Sequence, residues 1–465
     1  MTKLLIETAI AQGCGMEIVK KETLSAYLAR TPKSKMMWEE TKEVIPSGVG
    51  SAWWYFEPYP FFVSKAKGSR VWDADGNEYI DYLMGYGINI AGHAHPTIAN
   101  AVKEQIEDGS AYTAPHGKMT LYVKELLRRF PMMDMFQLAN SGTEAVMHAI
   151  RVARSYTGKD KIVKMEGCYH GVHDYVIVSV GPPLGKAGPK WAPTPVIESE
   201  GMPMDAVKNT LVVPFNNTEA MENLFRRHEG EIAAVIMEPI MLNSGVVLPK
   251  RGYLESVRKL TEEYNIVLIF DEVKTGCRVA PGGASGLYKI KPDMVILAKA
   301  IGGGLPLAAF GGKRKIMESL YPIGLTWQAG SYCANPLSIS AGLACLTKVM
   351  TDQAHTYITD RGNELSRGIQ DAIEDSSIKG LVKSIGPVGY IFFTDIEPVD
   401  YRTAASTDLE KTWEYWFNMF NKGILPCAPG PFEPWYASVA HTQDDIAQAV
   451  ETSEDALRKI ARMHD

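Results

Sequence analysis

Between residues 161 and 312 short apolar runs alternate with amphipathic segments, and this alternation constrains the fold more than any other feature. Apolar residues recur at helical spacing between the runs, as in Leu254, Val257 and Leu260. Near-continuous apolar strands separated by amphipathic helices predict a largely parallel sheet covered by helices on both faces. The strand candidates are KIVKM (161–165), TLVVPF (210–215), IAAVIMEPI (232–240), NIVLIFDEV (265–273), DMVILAK (293–299) and LAAFGG (307–312).

The flanking segments have a different pattern. Residues 1 to about 50 are typical of helices with mixed charge, and the following stretch alternates around Asp75-Gly76, which is typical of a β-hairpin. From about residue 340 the pattern is α+β, with a helix, the strand GYIFF (389–393), a charged helix (408–420), the strand YASVAH (436–441) and a C-terminal helix. We therefore expect three regions, namely an N-terminal segment (1–90), a large α/β domain (91–340) and a C-terminal small domain (341–465).

Composition narrows the class of protein. The net charge of −6 argues against a nucleic-acid partner. Six scattered cysteines without a C-x-x-C pair are typical of reduced thiols in a cytoplasmic protein. The N-terminal MTKLLIETAIAQGCGMEIVKK has only a short, interrupted apolar patch, unlike a secretory signal. No segment reaches the roughly 18 apolar residues of a membrane span. We expect a cytoplasmic protein with no membrane partner.

Side chains that can carry chemistry follow the strands at their carboxyl ends, where ligands bind in open α/β sheets. Glu238 follows AAVIM, Asp271 follows IVLIF, and Lys299 follows MVILA. Tyr169 and His170 lie beyond KIVKM. If the strands form one parallel sheet, these side chains point toward a single crevice.

Lys299 is unusual because lysine is rarely buried, yet here it ends an apolar strand and is followed by three glycines at 302–304. One interpretation is a lysine whose stem is buried while its ammonium reaches solvent. The other is a desolvated amine with a depressed pKa, which attacks a carbonyl and forms a Schiff base. The glycines favour the second interpretation because glycine lets the backbone approach a ligand closely.

Two further elements have competing interpretations. The stretch IVLIFDE, which ends with Asp271 and Glu272, imitates the strand that holds Mg²⁺ in P-loop ATPases, but the sequence has no G-x-x-x-x-G-K-[ST] motif. The turn Ser141-Gly142-Thr143 precedes a helical pattern, where it either binds an anion or caps the helix. The histidine pairs H-x-H (93–95) and H-x-x-H (170–173) match no zinc pattern, and we expect no metal site.

Together the anion-binding turn, the aromatic residue, the acid and the lysine suit one cofactor, pyridoxal phosphate. The lysine forms an imine with it, and the acid keeps its ring nitrogen protonated, so that the ring accepts electrons. The helix N-terminus holds the phosphate.

The chain resembles the class III (ω-type) aminotransferases of fold type I, and most closely the branch that contains glutamate-1-semialdehyde aminomutase. The resemblance runs from about Glu40 to residue 460. It implies an α/β fold with a large, mostly parallel sheet domain of the seven-stranded type. It also implies a smaller α+β domain formed by the N- and C-terminal segments, and pyridoxal 5′-phosphate as cofactor. The motifs that carry it are DADGNEYIDY, GHAHP, NSGTEA, YHG, EPI, FDEVKTGCR, LAKAIGGGLP and QAGSYCANP.

The resemblance assigns roles to individual residues. Lys299 falls on the Schiff-base lysine and Asp271 on the carboxylate that contacts the pyridine nitrogen. Val273 would pack under one face of the ring and Tyr169 on the other, with His170 beside it.

The remaining assignments concern the phosphate and the cofactor hydroxyl. Ser141, Gly142 and Thr143 match the phosphate loop, and Glu238 matches the acid near the hydroxyl. Ser331 falls where the family contacts the phosphate of the neighbouring subunit, which implies a homodimer.

One segment departs from the aminomutase pattern, which carries an arginine there for the substrate carboxylate. The segment GVGSAWWYFEPYPFF (48–62) has no arginine. Its aromatic residues either pack in the core or line a pocket for a bulky or uncharged substrate. The substrate-contact candidates are Trp53, Trp54, Tyr55 and Tyr86.

We therefore expect an aminotransferase that moves an amino group between an amine or amino-acid donor and a keto or aldehyde acceptor, by a ping-pong mechanism. The alternatives are an intramolecular aminomutase, an epimerase using the same lysine and acid, and an inactive relative that only binds ligand.

Overall fold

A computed structural model describes residues 18–464 of the chain. The N-terminal apolar patch and Cys14 lie outside the described residues. The strands, in chain order, are β1 (Val63–Lys67), β2 (Arg70–Asp73), β3 (Glu78–Asp81), β4 (Met135–Ala139), β5 (Lys161–Met165), β6 (Thr210–Val213), β7 (Ile232–Met237), β8 (Val267–Asp271), β9 (Met294–Leu297), β10 (Ala308–Gly312), β11 (Leu381–Ile385), β12 (Val388–Phe392), β13 (Ile424–Leu425) and β14 (Trp435–Tyr436).

Helices connect and cover these strands. Short 3₁₀ turns lie at Pro46–Gly48, Ala52–Trp54 and Lys299–Gly302, and a π-helical turn at Cys345–Val349. The α-helices are Lys21–Arg30, Pro32–Thr41, Met84–Gly87, Pro96–Glu107, Gly117–Arg129, Gly142–Thr157, Met204–Lys208, Thr218–Arg227, Tyr253–Glu263, Gly283–Tyr288, Arg314–Met317, Pro336–Ala344, Asp352–Ser376, Tyr401–Ala404, Leu409–Asn421 and Gln443–His464.

The largest sheet has seven strands in the order β4-β10-β9-β8-β7-β5-β6. All are parallel except β10, which pairs antiparallel with both β4 and β9. Both faces are covered, because successive residues of β8 enter different core clusters: Leu268 and Phe270 join one, and Val267 and Ile269 the other. The predicted mostly parallel, two-sided sheet is confirmed.

Four strands were not predicted, and one predicted strand needs correction. Strands β4 and β11 were missed because MFQLA and LVKSI are short, polar-interrupted and only partly buried. Strand β1 was missed because VSKAK is mostly exposed, and β13 because it has only two residues. The predicted strand YASVAH is wrong beyond its first residue. There the chain turns, since the ring nitrogen Nδ1 of His441 accepts a hydrogen bond from the Ser438 amide at 3.0 Å.

The N- and C-terminal segments share a sheet in the order β1-β2-β3-β13, in which β13 pairs parallel with β3. Strands β2 and β3 form the hairpin predicted around Asp75-Gly76. A third sheet, β11-β12-β14, is antiparallel. Phe56 and Tyr59 of the aromatic segment are buried in a cluster with Trp416 and Phe420, so this part of the segment belongs to the core. The domain limits at residues 90 and 340 stay predictions.

Among residues 18–464, no helix combines the length and apolar character needed to cross a bilayer.

The glycines after Lys299 serve different purposes. Gly303 has φ +60°, and a β-carbon there would lie 2.6 Å from the Ala341 carbonyl oxygen, so this glycine permits contact with helix Pro336–Ala344. Gly304, at φ +99°, lines the cavity described below. Only Gly304 therefore has the ligand-facing position expected of the glycine run.

Gly303→Ala tests this packing against the matched control Gly68→Ala. Gly68 has nearly the same φ, +61°, but open space around its α-carbon. We expect Gly68→Ala to lower the free energy of unfolding by about 1 kcal/mol, the cost of a left-handed alanine. Gly303→Ala should lose roughly another 1–3 kcal/mol through the clash. Denaturant unfolding measures both, and equal losses would contradict the packing role.

Candidate active site

The carboxyl ends of β5, β7, β8 and β9 border a cavity of about 400 Å³, the inner cavity. Its size is within the usual range of small-molecule sites. The structure thus brings together most of the site residues predicted from the sequence. Those that line it are Ser141, Gly142, Thr143, Tyr169, His170, Glu238, Asp271, Val273 and Lys299.

Asp271, the last residue of β8, is held by two hydrogen bonds. Its Oδ2 lies 2.7 Å from the His170 ring nitrogen Nδ1, and its Oδ1 accepts from the Val273 amide at 3.0 Å. Both side chains of the Asp271–His170 pair are buried. A carboxylate has about four lone-pair sites, so Asp271 keeps acceptor capacity for a further donor in the cavity. The buried His170 Nε2 has no hydrogen-bond partner among the described residues.

Lys299 begins the turn after β9 with φ +53°, in the left-handed region. An L-residue pays about 1–2 kcal/mol for that conformation, and such strain is characteristic of functional sites. The side chain is partly accessible, because it faces the inner cavity. Burial, together with the positive charge of Lys274, lowers the pKa of Lys299 to about 7 against the opposing effect of Glu433, Asp271 and Glu238. A large fraction of this amine is therefore neutral at physiological pH.

The helix Gly142–Thr157 opens toward the cavity. The Ser141 hydroxyl caps it, accepting from the Glu144 amide at 3.2 Å, as the capping interpretation predicts. The amides of Gly142 and Thr143 belong to the first turn, whose N–H groups have no acceptor within the helix. They are thus available to an anion in the inner cavity.

Tyr169 and Glu238 are linked to each other through the backbone. Glu238 Oε1 accepts from the Tyr169 amide at 3.1 Å, and its Oε2 accepts from the Leu242 amide at 2.9 Å. The Tyr169 ring meets Trp53 edge-on, with centroids 5.6 Å apart. Burial raises the pKa of the Tyr169 phenol, so this group stays protonated near neutral pH.

An outer cavity of about 490 Å³ adjoins the inner one, because Tyr169 and Asn243 line both. Trp53 and Tyr55 line it, and its two charged lining side chains are Glu198 and Glu433. Of the other predicted contacts, Trp54 and Tyr86 line neither cavity. The Tyr86 hydroxyl instead donates to the Trp53 carbonyl.

Ser331 lies outside both cavities and is exposed in the single chain.

Sequence reasoning missed an ion pair at the border of the two cavities. Lys274 lines the inner cavity and Glu433 the outer one, and Lys274 Nζ lies 2.8 Å from Glu433 Oε2. The available signal was a lysine within FDEVKTGCR, directly after Val273. Its partner is far along the chain and is invisible to motif spacing.

The residues present fit pyridoxal 5′-phosphate. First-turn amides suit its phosphate, Asp271 suits a protonated ring nitrogen, and Lys299 supplies a reactive amine. A β-carbon on Gly142 would lie 3.3 Å from Val273, so the glycine keeps the cradle between them open. Among the described residues, no group of three or more His, Cys, Asp or Glu side chains is arranged to hold a metal ion.

The sequence matches the family "Aminotransferase class-III" over residues 55–457. It is 42% identical over 428 residues to a glutamate-1-semialdehyde 2,1-aminomutase of Methanocaldococcus jannaschii, covering 92% of this chain and 98% of that protein. The name of this relative matches the aminomutase alternative better than intermolecular transfer.

Solved structures of both kinds have the same fold. An ω-transaminase from Sphaerobacter thermophilus has a TM-score of 0.88 at 31% identity, covering 92% of this chain and 98% of the other. A glutamate-1-semialdehyde aminomutase from Pseudomonas aeruginosa has a TM-score of 0.84 at 26% identity, covering 94% and 96%.

The depressed pKa of Lys299 predicts the pH dependence of its reactivity. Only the neutral amine attacks a carbonyl, so capture of added pyridoxal phosphate by cofactor-free protein should rise with pH and reach half its maximum near pH 7. Absorbance during mixing at pH 5.5 to 9 measures the rate, and Lys299→Ala gives the background from other lysines. A rate that still rises about tenfold per pH unit between pH 8 and 9, as for an ordinary lysine with a pKa of about 10.4, would contradict the burial argument.

Proposed function

This chain belongs to the class-III aminotransferases, as its motifs predicted, and we propose that it moves an amino group from an amine donor to a separate carbonyl acceptor. The observation that carries the proposal is the meeting of Lys299 and Asp271 in one cavity, beside a helix N-terminus that opens toward it. The enzyme uses pyridoxal 5′-phosphate, as the transaminase and aminomutase structures with bound cofactor indicate for this fold. When bound, this cofactor carries the amino group between substrates and withdraws electrons from the substrate carbon.

We propose one cofactor contact for each of these residues; their places around the inner cavity support the phosphate and ring-nitrogen contacts, and the family resemblance implies the others. Gly142 and Thr143 would hold the phosphate through their amides, with Ser141 keeping the helix end in place. Asp271 would bind the ring nitrogen, oriented by His170. Val273 and Tyr169 would contact the two faces of the ring, and Glu238 would lie near its hydroxyl.

Lys299 is the proposed acid and base of the reaction. Its Nζ, neutral in part near pH 7, would take a proton from the substrate carbon that bears the amino group and pass it to the cofactor, as general base and then general acid. The general-base step benefits from the depressed pKa, because a general base works best when its pKa lies near the operating pH. The fixed charge of Asp271 stabilises the electron density that develops away from this carbon.

The lining of the cavities supports intermolecular transfer with an apolar donor. Among the described residues no arginine lines either cavity, and Lys274 and Lys299 are the cations of the inner one. The outer cavity has the aromatic rings of Trp53, Tyr55 and Phe432 in its wall. An amine with an uncharged, bulky body fits this surface better than a donor whose side chain ends in a carboxylate.

The second candidate is intramolecular transfer, as in an aminomutase. It is supported by sequence relatives named glutamate-1-semialdehyde 2,1-aminomutase, which the chain covers almost completely. The same lysine and acid serve both reactions, so the two candidates differ in substrate and not in catalytic groups.

A two-substrate assay distinguishes them. Purified holoenzyme with 1-phenylethylamine and pyruvate should form acetophenone and alanine, detected by ultraviolet absorbance and chromatography. We expect Lys299→Ala to lower the rate by at least about 10²-fold, since it removes the proton-transfer group. Conversion of glutamate-1-semialdehyde to 5-aminolevulinate without amine transfer would instead establish the aminomutase. A protein with no visible cofactor absorbance would contradict both candidates.

We also propose that the enzyme is a homodimer in which Ser331 contacts the phosphate bound by the partner subunit. Two observations support this. Ser331 is exposed in the single chain, and it lies in a segment with unusually exposed apolar side chains, a pattern that marks interfaces. These side chains are Tyr321, Ile323, Leu325, Trp327 and Tyr332.

Leu325→Glu tests the dimer, because Leu325 is 94% exposed and a charge there would oppose burial in an interface. We expect sedimentation to show dissociation, with weaker cofactor retention after dialysis. The matched control is Ile396→Glu, at an exposed apolar residue outside this segment. A wild-type enzyme that sediments as a monomer would contradict the proposal.

A further inference from the structure

We propose that Lys274 is the residue that recognises a substrate carboxylate in this enzyme, and that its ion pair with Glu433 opens to let the carboxylate in. The inference rests on the proposed amino transfer and deepens it, since it names the acceptor class as short 2-oxo acids. It also supplies a cation for the carboxylate in a chain whose segment 48–62 has no arginine.

The position of Lys274 suits this role. It lies three residues after Asp271, and its side chain lines the same inner cavity as Lys299. A 2-oxo acid has its carboxylate one bond from the reacting carbonyl, so both groups must be met within one small space. Both amines border this one cavity, and the positive charge of Lys274 contributes to the lowered pKa of Lys299.

The hydrogen bonding of Lys274 leaves room for one more acceptor. Its Nζ donates to the Leu242 carbonyl at 2.7 Å and to Glu433 Oε2 at 2.8 Å. An ammonium has three N–H donors, so a carboxylate that displaces Glu433 meets two donors, the third one and the one that Glu433 releases. Lys274 and Glu433 are both largely buried, and their partnership therefore has little competition from water.

Glu433 can leave the pair without becoming an isolated charge. Its Oε1 accepts from the Tyr436 hydroxyl at 2.8 Å, and its side chain already lines the outer cavity. The loop that carries it is strained at Phe432, a non-glycine residue with φ +74°. Local strain of this kind accompanies segments that move at ligand sites.

Exchange of one carboxylate for another keeps the buried charge balanced. Removing Glu433 alone would leave Lys274 uncompensated in a buried site, which is costly, but a substrate carboxylate replaces it. With the pair closed, this wall is neutral overall and suits the uncharged body of the donor. The described lining of the outer cavity contains no lysine or arginine, so Lys274, at the border with the inner cavity, is the first cation that an entering carboxylate meets.

The test compares pyruvate with methyl pyruvate as acceptors, because they share the carbonyl and differ in charge. With 1-phenylethylamine as donor, the quantity measured on the holoenzyme is kcat/KM for pyruvate divided by kcat/KM for methyl pyruvate. A change in the pKa of Lys299 acts on both acceptors alike and cancels in this ratio. We expect Lys274→Met to lower the ratio by about 10- to 100-fold, the effect of losing a hydrogen bond to a charged group.

Two further variants make the test specific. Lys274→Arg should keep most of the wild-type preference for pyruvate. Glu433→Gln should raise the ratio, since Lys274 no longer has a competing carboxylate. A ratio that stays constant in all variants, or moves the same way in Lys274→Met and Glu433→Gln, would overturn the inference. Absence of amino transfer from wild-type enzyme to either acceptor would instead contradict the proposed function.

Discussion

The pairing register of β8 and β9 is the constraint on which the site depends. Asp271 lies opposite Ile296, three residues before Lys299, and the Glu272 amide donates to the Ile296 carbonyl at 2.9 Å. The parallel ladder therefore determines where the acid and the amine stand relative to each other. A slip of one residue would turn every side chain of a strand to the other face of the sheet. Because both strands are buried on both faces, such a slip would exchange the residues that pack in the two core clusters and would turn Asp271 away from the cavity.

The strands that carry this site can be predicted because each is marked by a pattern within a few consecutive residues. A run such as AAVIM followed by Glu238, or MVILA followed by Lys299, combines an apolar strand with a polar end in a few residues. The parts that were missed depend on contacts between distant segments. Strand β4 pairs with β10, although strands β5 to β9 lie between them in the sequence. Lys274 acquires its role only through Glu433, which is likewise distant in the sequence. The left-handed backbone of Lys299 is likewise imposed by the turn it enters and has no signature in composition.

The aromatic segment shows how two interpretations can both hold at neighbouring positions. Phe56 is buried among Trp416 and Phe417, and it contributes to the core. Trp53 is half-exposed and packs against Tyr169 at the boundary of the cavities. Trp54 is exposed and lines neither cavity. Since a turn separates these side chains, their common aromatic character says little about whether they face the core, the site or solvent.

The short strand β13 has a consequence for the order in which the molecule is assembled. It pairs with β3, so the edge of β3 is open in an elongating chain until residues 424–425 have been synthesised. Glu433 follows these residues, and it reaches Lys274 only after they are available. Within one chain, the residues that would contact its own cofactor precede residue 300. Strand β10 (Ala308–Gly312), which joins β4 to β9 in the large sheet, follows soon after, so these elements can come together before β13 is available. The part of the site that would bind the cofactor can therefore form first, and the part that contains Glu433 forms last.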